Sequence, residues 1–125
     1  MFKINEDKSI YLTRGDIANI SVSATMQDGT LYMFQAGDVV RFKVFKRRDC
    51  GCVELQKDVV KSGSGREVTI FLTSEDTKIG EVISKPTNYW YEVELNPDTN
   101  PQTLIGYDED GEKIFRLFPE GSDKE

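Results

Sequence analysis

Histidine is absent from this sequence of 125 residues, and cysteine occurs only twice. Without an imidazole the chain has no histidine-based nucleophile, proton shuttle or zinc ligand. Its glycines are scattered, and none falls into a phosphate-binding motif. The sequence therefore offers little for catalysis, and we expect a protein that is not an enzyme and uses no cofactor or metal.

Long apolar runs are also missing. No stretch approaches the roughly 18 apolar residues of a membrane-spanning helix, and the first residues lack the basic start and apolar run of a secretory signal. The formal net charge of −6 disfavours binding to nucleic acid or to an anionic membrane. We expect a cytoplasmic location and partners that are neither nucleic acid nor membrane.

The composition is that of one globular domain. Hydrophobic residues make up 38% of the chain and charged residues 30%, and a chain of this size removes roughly two-thirds of its unfolded surface from water on folding. We expect a short lead-in (residues 1–8), one folded domain (residues 9–118) and a flexible polar tail (residues 119–125).

Between turn signals, apolar and polar residues mostly alternate, which is typical of half-buried strands. No helical period persists beyond a turn or two. The pattern predicts an all-β protein, a single immunoglobulin-like antiparallel β-sandwich. The predicted strands are residues 9–13, 17–25, 31–36, 39–46, 53–60, 67–73, 89–95, 102–107 and 113–118.

The connections predict how these strands are arranged. The polar run Ser74-Glu75-Asp76-Thr77 favours one short helical turn near Ser74-Ile79, so the chain should cross there from one sheet to the other. Residues 39–46 should pair with residues 53–60. The acidic turn at Asp108-Gly111 has the signature of a hairpin between residues 102–107 and 113–118.

Three motifs allow more than one interpretation. Cys50 and Cys52 are either reduced thiols near a hairpin tip or an intermolecular metal or disulfide site. The carboxylates of Asp108-Glu112 are either a solvated tip or a weak calcium site. The tripeptide Arg14-Gly15-Asp16 is either a turn or an integrin ligand.

Trp90 is the most informative single side chain. The alternation puts it on the same face as Glu92 and Glu94, where it could form an outward apolar patch with Phe45 and Phe71, and such patches often mark contacts. We predict these three aromatic residues as a possible interface. Two alternatives stay open: the loop at residues 81–87 or the C-terminal hairpin covers Trp90, or Trp90 stacks on a sugar in a carbohydrate- or receptor-binding module.

Four segments resemble the N-terminal β-sandwich domain of phage baseplate upper proteins. Similar proteins occur in prophage tail regions of Gram-positive bacteria. They are YLTRGDIANISVSAT (11–25), DVVRFKVFK (38–46), VTIFLTSEDTKIG (68–80) and YWYEVELN (89–96). The resemblance extends to about Phe118. It implies a phage tail or baseplate structural or adaptor protein, with other tail proteins or identical subunits as partners in a symmetric assembly. Such a protein would be made in the host cytoplasm and then join the virion tail, and the family offers no catalytic residue.

Overall fold

The computed structural model of the protein describes residues 2–4, 8–25, 28–46, 53–79, 85–99, 101–106 and 113–119. Within these ranges the protein is all-β, as predicted, and has no helix. Consequently nothing helical in the described ranges is long and apolar enough to cross a membrane. The strands are β1 (Phe2–Ile4), β2 (Ile10–Thr13), β3 (Ala18–Val22), β4 (Val39–Phe45), β5 (Val53–Val60), β6 (Val68–Leu72), β7 (Thr87–Leu95), β8 (Gln102–Ile105) and β9 (Lys113–Phe118).

The strands form two sheets. The seven-stranded sheet has the order β1-β2-β9-β7-β4-β5, with β8 paired to β7, and the two-stranded sheet is β3-β6. The larger sheet is mixed, because β2 and β9 are parallel, with Ile10 opposite Phe115. This corrects the expectation of a purely antiparallel fold. Since β2 and β9 come from the two ends of the described chain, no tight turn forces them to run in opposite directions.

The alternation of side chains is confirmed in both sheets. In β4, Val40, Phe42 and Val44 are buried, and β6 and β7 alternate in the same way. Buried residues of the two sheets belong to a single hydrophobic core. The outward positions of the same strands are therefore what the molecule presents to its surroundings.

The helical turn expected near Ser74-Ile79 is not seen. The chain forms a hydrogen-bonded turn instead, in which the Thr77 amide donates to the Thr73 carbonyl at 3.2 Å. The Asp76 carboxylate accepts from the Thr73 amide at 2.9 Å, and the Thr77 hydroxyl donates to the Asp16 carbonyl at 2.8 Å. The reciprocal bonds between Thr73 and Asp76 are those of a capping box, which begins helices, but here the turn extends only over residues 74–77. The predicted crossing is confirmed, because β6 and β7 lie in different sheets.

The predicted pairing of β4 with β5 is confirmed, whereas the predicted hairpin between residues 102–107 and 113–118 is wrong. Strands β8 and β9 both run antiparallel to β7, β8 along its C-terminal half and β9 along its N-terminal half. With nine residues, β7 is long enough to pair with both. The predicted strand at residues 31–36 is reduced to isolated bridges from Leu31 and Phe34, and β1 lies in the predicted lead-in.

Candidate functional site

Outward apolar side chains from four strands meet in one row across the seven-stranded sheet. Phe45 is in register with Val53 of β5 and with Trp90 of β7, and Trp90 is in register with Ile114 of β9. Cross-strand partners on one face have Cβ atoms about 5 Å apart. Val53, Phe45, Trp90 and Ile114 therefore form a contiguous strip, which we call the apolar row.

The apolar row is partly accessible to solvent. Val53 is 43% exposed, and Phe45, Trp90 and Ile114 are half-buried. The indole Nε1 of Trp90 is buried and has no hydrogen-bond partner in the described part of the chain. A buried indole N–H normally has a partner; this unpaired N–H lies below the surface, and the ring of Trp90 contributes the apolar area of the strip.

A charged ladder continues from the apolar row on the same strands. Lys43 Nζ lies 2.9 Å from Glu94 Oε1 and 3.7 Å from Glu92 Oε1. Arg41 binds Asp58 at 2.9 Å and Asp98 at 3.0 Å. The hydrogen bond from Arg41 lowers the pKa of Asp58 below its ordinary value. These charges pair with one another.

The structure brings together two of the three predicted interface residues. Phe45 and Trp90 are adjacent in register. Phe71 is 43% exposed, but it lies in β6 of the two-stranded sheet, opposite Asn19. The local alternation predicts outward positions for all three side chains, and only the sheet topology separates Phe71 from the other two.

The Arg14-Gly15-Asp16 turn has a structural role. Arg14 is buried, and its Nε lies 3.5 Å from the Ile79 carbonyl oxygen. The Gly15 amide donates to the Thr77 hydroxyl at 3.0 Å, with Gly15 at a φ of 90° that favours glycine. A buried arginine cannot be offered to an integrin, so the tripeptide joins the β2–β3 turn to the turn after β6.

A groove that the sequence does not predict lies between β3 and β8. Ser21–Thr25 lines one side and Gln102–Ile105 the other, and Leu95 and Tyr32 also border it. These segments are about 80 residues apart in sequence. No local sequence pattern predicts the groove, because its position depends on which edge of β7 pairs with β8.

The two candidate metal motifs lie outside the described residues, namely Cys50 with Cys52 and the acidic segment Asp108-Glu112. In the ranges that the structure describes, no three cysteine or carboxylate side chains are grouped so as to hold a metal ion. Compared with protein-family models, curated proteins and solved structures, the chain matches none of them. The surface features described above are therefore the basis for inferring a function.

Proposed function

We propose that this protein is a structural or adaptor subunit of a phage or prophage tail or baseplate and acts through protein–protein contacts. Its fold would be an immunoglobulin-like β-sandwich, an interpretation supported by two sheets that share one core. The phage assignment rests on the resemblance of the four sequence segments given above. The protein would be no enzyme and would need no cofactor.

The apolar row is the observation that carries this proposal. Four side chains on neighbouring strands span about 14 Å, given a strand spacing of about 4.8 Å. Interfaces tend to have an aromatic centre inside a polar rim, and a typical one buries about 1,600 Å² in total. Phe45 and Trp90 would supply the centre, and the charged ladder from Lys43 to Arg41 would supply the rim.

The partial burial of the Trp90 side chain favours a protein partner over a sugar. A sugar ring stacks on an aromatic face that is open to solvent, whereas Trp90 is half-buried between Phe45 and Ile114 in register. A contiguous strip across four strands suits another protein surface. A glycan array separates the alternatives: binding that Trp90→Ala abolishes would favour the carbohydrate- or receptor-binding module.

The proposal predicts where the protein accumulates. It would be made in the host cytoplasm and carried into the virion tail, with identical subunits or other tail proteins as partners in a symmetric assembly. Phage particles purified after prophage induction in the source bacterium should contain the chain, by mass spectrometry, in a constant ratio to the tail-tube protein. Its absence from both particles and tail assembly intermediates would contradict the proposal.

A further inference from the structure

The groove between β3 and β8 exposes backbone, because its walls are consecutive residues. Ser21–Thr25 are five residues in sequence, and Gln102–Ile105 are four. A strand that faces a groove with one surface contributes every second residue, since neighbouring side chains point to opposite sides. Unbroken runs on both walls indicate that the groove lies alongside the backbone edges of both segments.

Each wall includes a strand with one edge unpaired in the described residues, although beyond β3 the Ala24 carbonyl accepts from the Tyr32 amide at 2.8 Å and Thr25 forms a bridge with Leu31. β3 pairs only with β6, and β8 pairs only with β7. An open strand edge presents a row of amide and carbonyl groups that can bond to another extended chain. Along β3 and β8 the groove is therefore bordered by backbone hydrogen-bonding groups that these pairings leave unused in the described residues.

The lining of the groove is mixed in polarity. Val22 and Leu95 belong to the core, and Leu104, Ile105 and Ala24 are half-buried against it. The hydroxyls of Ser21, Ser23 and Thr25 are exposed along the other side. An occupant with alternating apolar and polar residues would match this arrangement.

The size of the groove suits one strand. A strand residue between packed sheets fills about 160 Å³, from a rise of about 3.3 Å, a strand spacing of about 4.8 Å and a sheet separation of about 10 Å. The groove has a volume of about 990 Å³, which corresponds to about six such residues. A whole folded domain would not enter it.

We propose that the β3–β8 groove binds an extended segment of a partner protein by strand addition. The charged residues that border the groove are one lysine, Lys8, and one aspartate, Asp28. Because the remaining lining is uncharged, the groove favours an uncharged segment. The residues after Phe118 in this chain read PEGSDKE, and proline, glycine and four charges are unfavourable in a strand. The chemistry therefore favours a partner's segment over this chain's own tail. This inference stands apart from the apolar row and from the phage assignment.

The experiment uses the purified full chain and a panel of short synthetic peptides in which Val or Leu alternates with Ser or Thr. Each peptide has a matched control with proline at its centre, because proline lacks the amide that a sheet edge requires. We expect some alternating peptides to bind, their proline controls to bind at least about tenfold more weakly, and hydrogen exchange to slow at residues 21–25 and 102–105.

Matched variants locate the binding site. Ala24→Arg fills the half-buried groove wall, whereas Ala36→Arg places the same side chain at an exposed turn position. Ser23→Arg and Ser62→Arg form a second pair for the case that Ala24→Arg does not fold by circular dichroism. We expect only the groove variants to abolish peptide binding.

Three results would overturn the proposal. They are a panel in which no peptide binds better than its proline control, binding that persists in both groove variants, and exchange protection that falls on β5 or β1. None of these results bears on whether the chain is present in phage particles. Failure of the groove proposal and failure of the proposed function are thus separate outcomes.

Discussion

At the scale of single residues, Thr77 connects two turns that are distant in sequence. Its side chain is fully buried. The hydroxyl accepts from the Gly15 amide and donates to the Asp16 carbonyl oxygen, with the Ser74 carbonyl oxygen also in reach. It substitutes for backbone pairing where the chain leaves β6.

Thr77→Val should lower the free energy of unfolding by about 1–3 kcal/mol, because it keeps the shape and leaves buried polar groups without partners. Thr77→Ser retains the hydroxyl and should lose less. Urea denaturation of the two variants checks this. A Thr77→Val variant that is as stable as the wild type, while Thr77→Ser is destabilised, would show that the methyl group, and not the hydroxyl, stabilises this turn.

The ion pair between Lys57 and Asp76 links β5 to the same turn, with Nζ and Oδ2 2.9 Å apart. Burial raises the pKa of Asp76, but hydrogen bonds from the Thr73 amide, from Lys57 and from the Thr73 hydroxyl lower it more. The net pKa lies below the ordinary value. A carboxylate with a lowered pKa in the folded state stabilises the protein above its unfolded pKa of about 3.9, and this contribution disappears as the pH falls through the folded value.

Lys57→Met should therefore raise the pKa of Asp76 in an NMR titration. It should also destabilise the protein near neutral pH and lose that effect at acidic pH, where Asp76 is protonated in both proteins. An unchanged pKa of Asp76, or a destabilisation that persists at a pH low enough to protonate Asp76 in both proteins, would contradict the role given to this pair.

At the scale of strands, β6 has two faces with opposite tolerance to substitution. Ile70 is fully buried and Thr69 is exposed, although they are neighbours in sequence. Ile70→Ala should cost about 2–5 kcal/mol, because it leaves a cavity in the core, whereas Thr69→Ala should change stability by no more than about 0.5 kcal/mol. Chemical denaturation measures both, and similar values would contradict the assigned faces.

The contrast between Phe45 and Phe71 shows how far the sequence predicts this fold. Alternation is a local property, so the sequence predicts which side chains of β4, β6 and β7 face inward. Sheet membership depends on contacts between distant strands. The predicted crossing between β6 and β7 implies different sheets for Phe71 and Trp90, but the alternation alone does not separate them. The same limit explains the missed groove and the parallel pairing of β2 with β9.

The turns depend on contacts that the local sequence does not contain. The run Ser74-Glu75-Asp76-Thr77 has side chains that also begin helices, and its partners at Asp16 and Lys57 are distant in sequence. The acidic turn residues between residues 102–107 and 113–118 favour a hairpin. In the structure β8 and β9 do not pair with each other, because β7 is long enough to pair with both. Tertiary pairing overrode the local signal in both places.

At the scale of the whole molecule, the two sheets bury one core and leave two distinct features on the outside. The apolar row crosses the outer face of the larger sheet, and the groove lies between β3 and β8, each of which has one edge unpaired in the described residues. They differ in chemistry, since one offers side chains and the other offers backbone. A subunit of a large assembly needs at least two such contacts to join one neighbour to the next.

The central claim is that the apolar row attaches this protein to a phage tail. The most direct measurement is the fraction of tagged protein that sediments with tail particles from an induced lysate, for matched pairs of variants. Val53→Lys alters the apolar row, and its control Val60→Lys alters the other end of β5. Phe45→Lys also alters the row, and its control Phe71→Lys alters the two-stranded sheet. We predict that wild-type protein, Val60→Lys and Phe71→Lys sediment with the particles while folded Val53→Lys and Phe45→Lys stay in the supernatant. Wild-type protein that fails to sediment, or row variants that sediment as fully as their controls, would contradict the account.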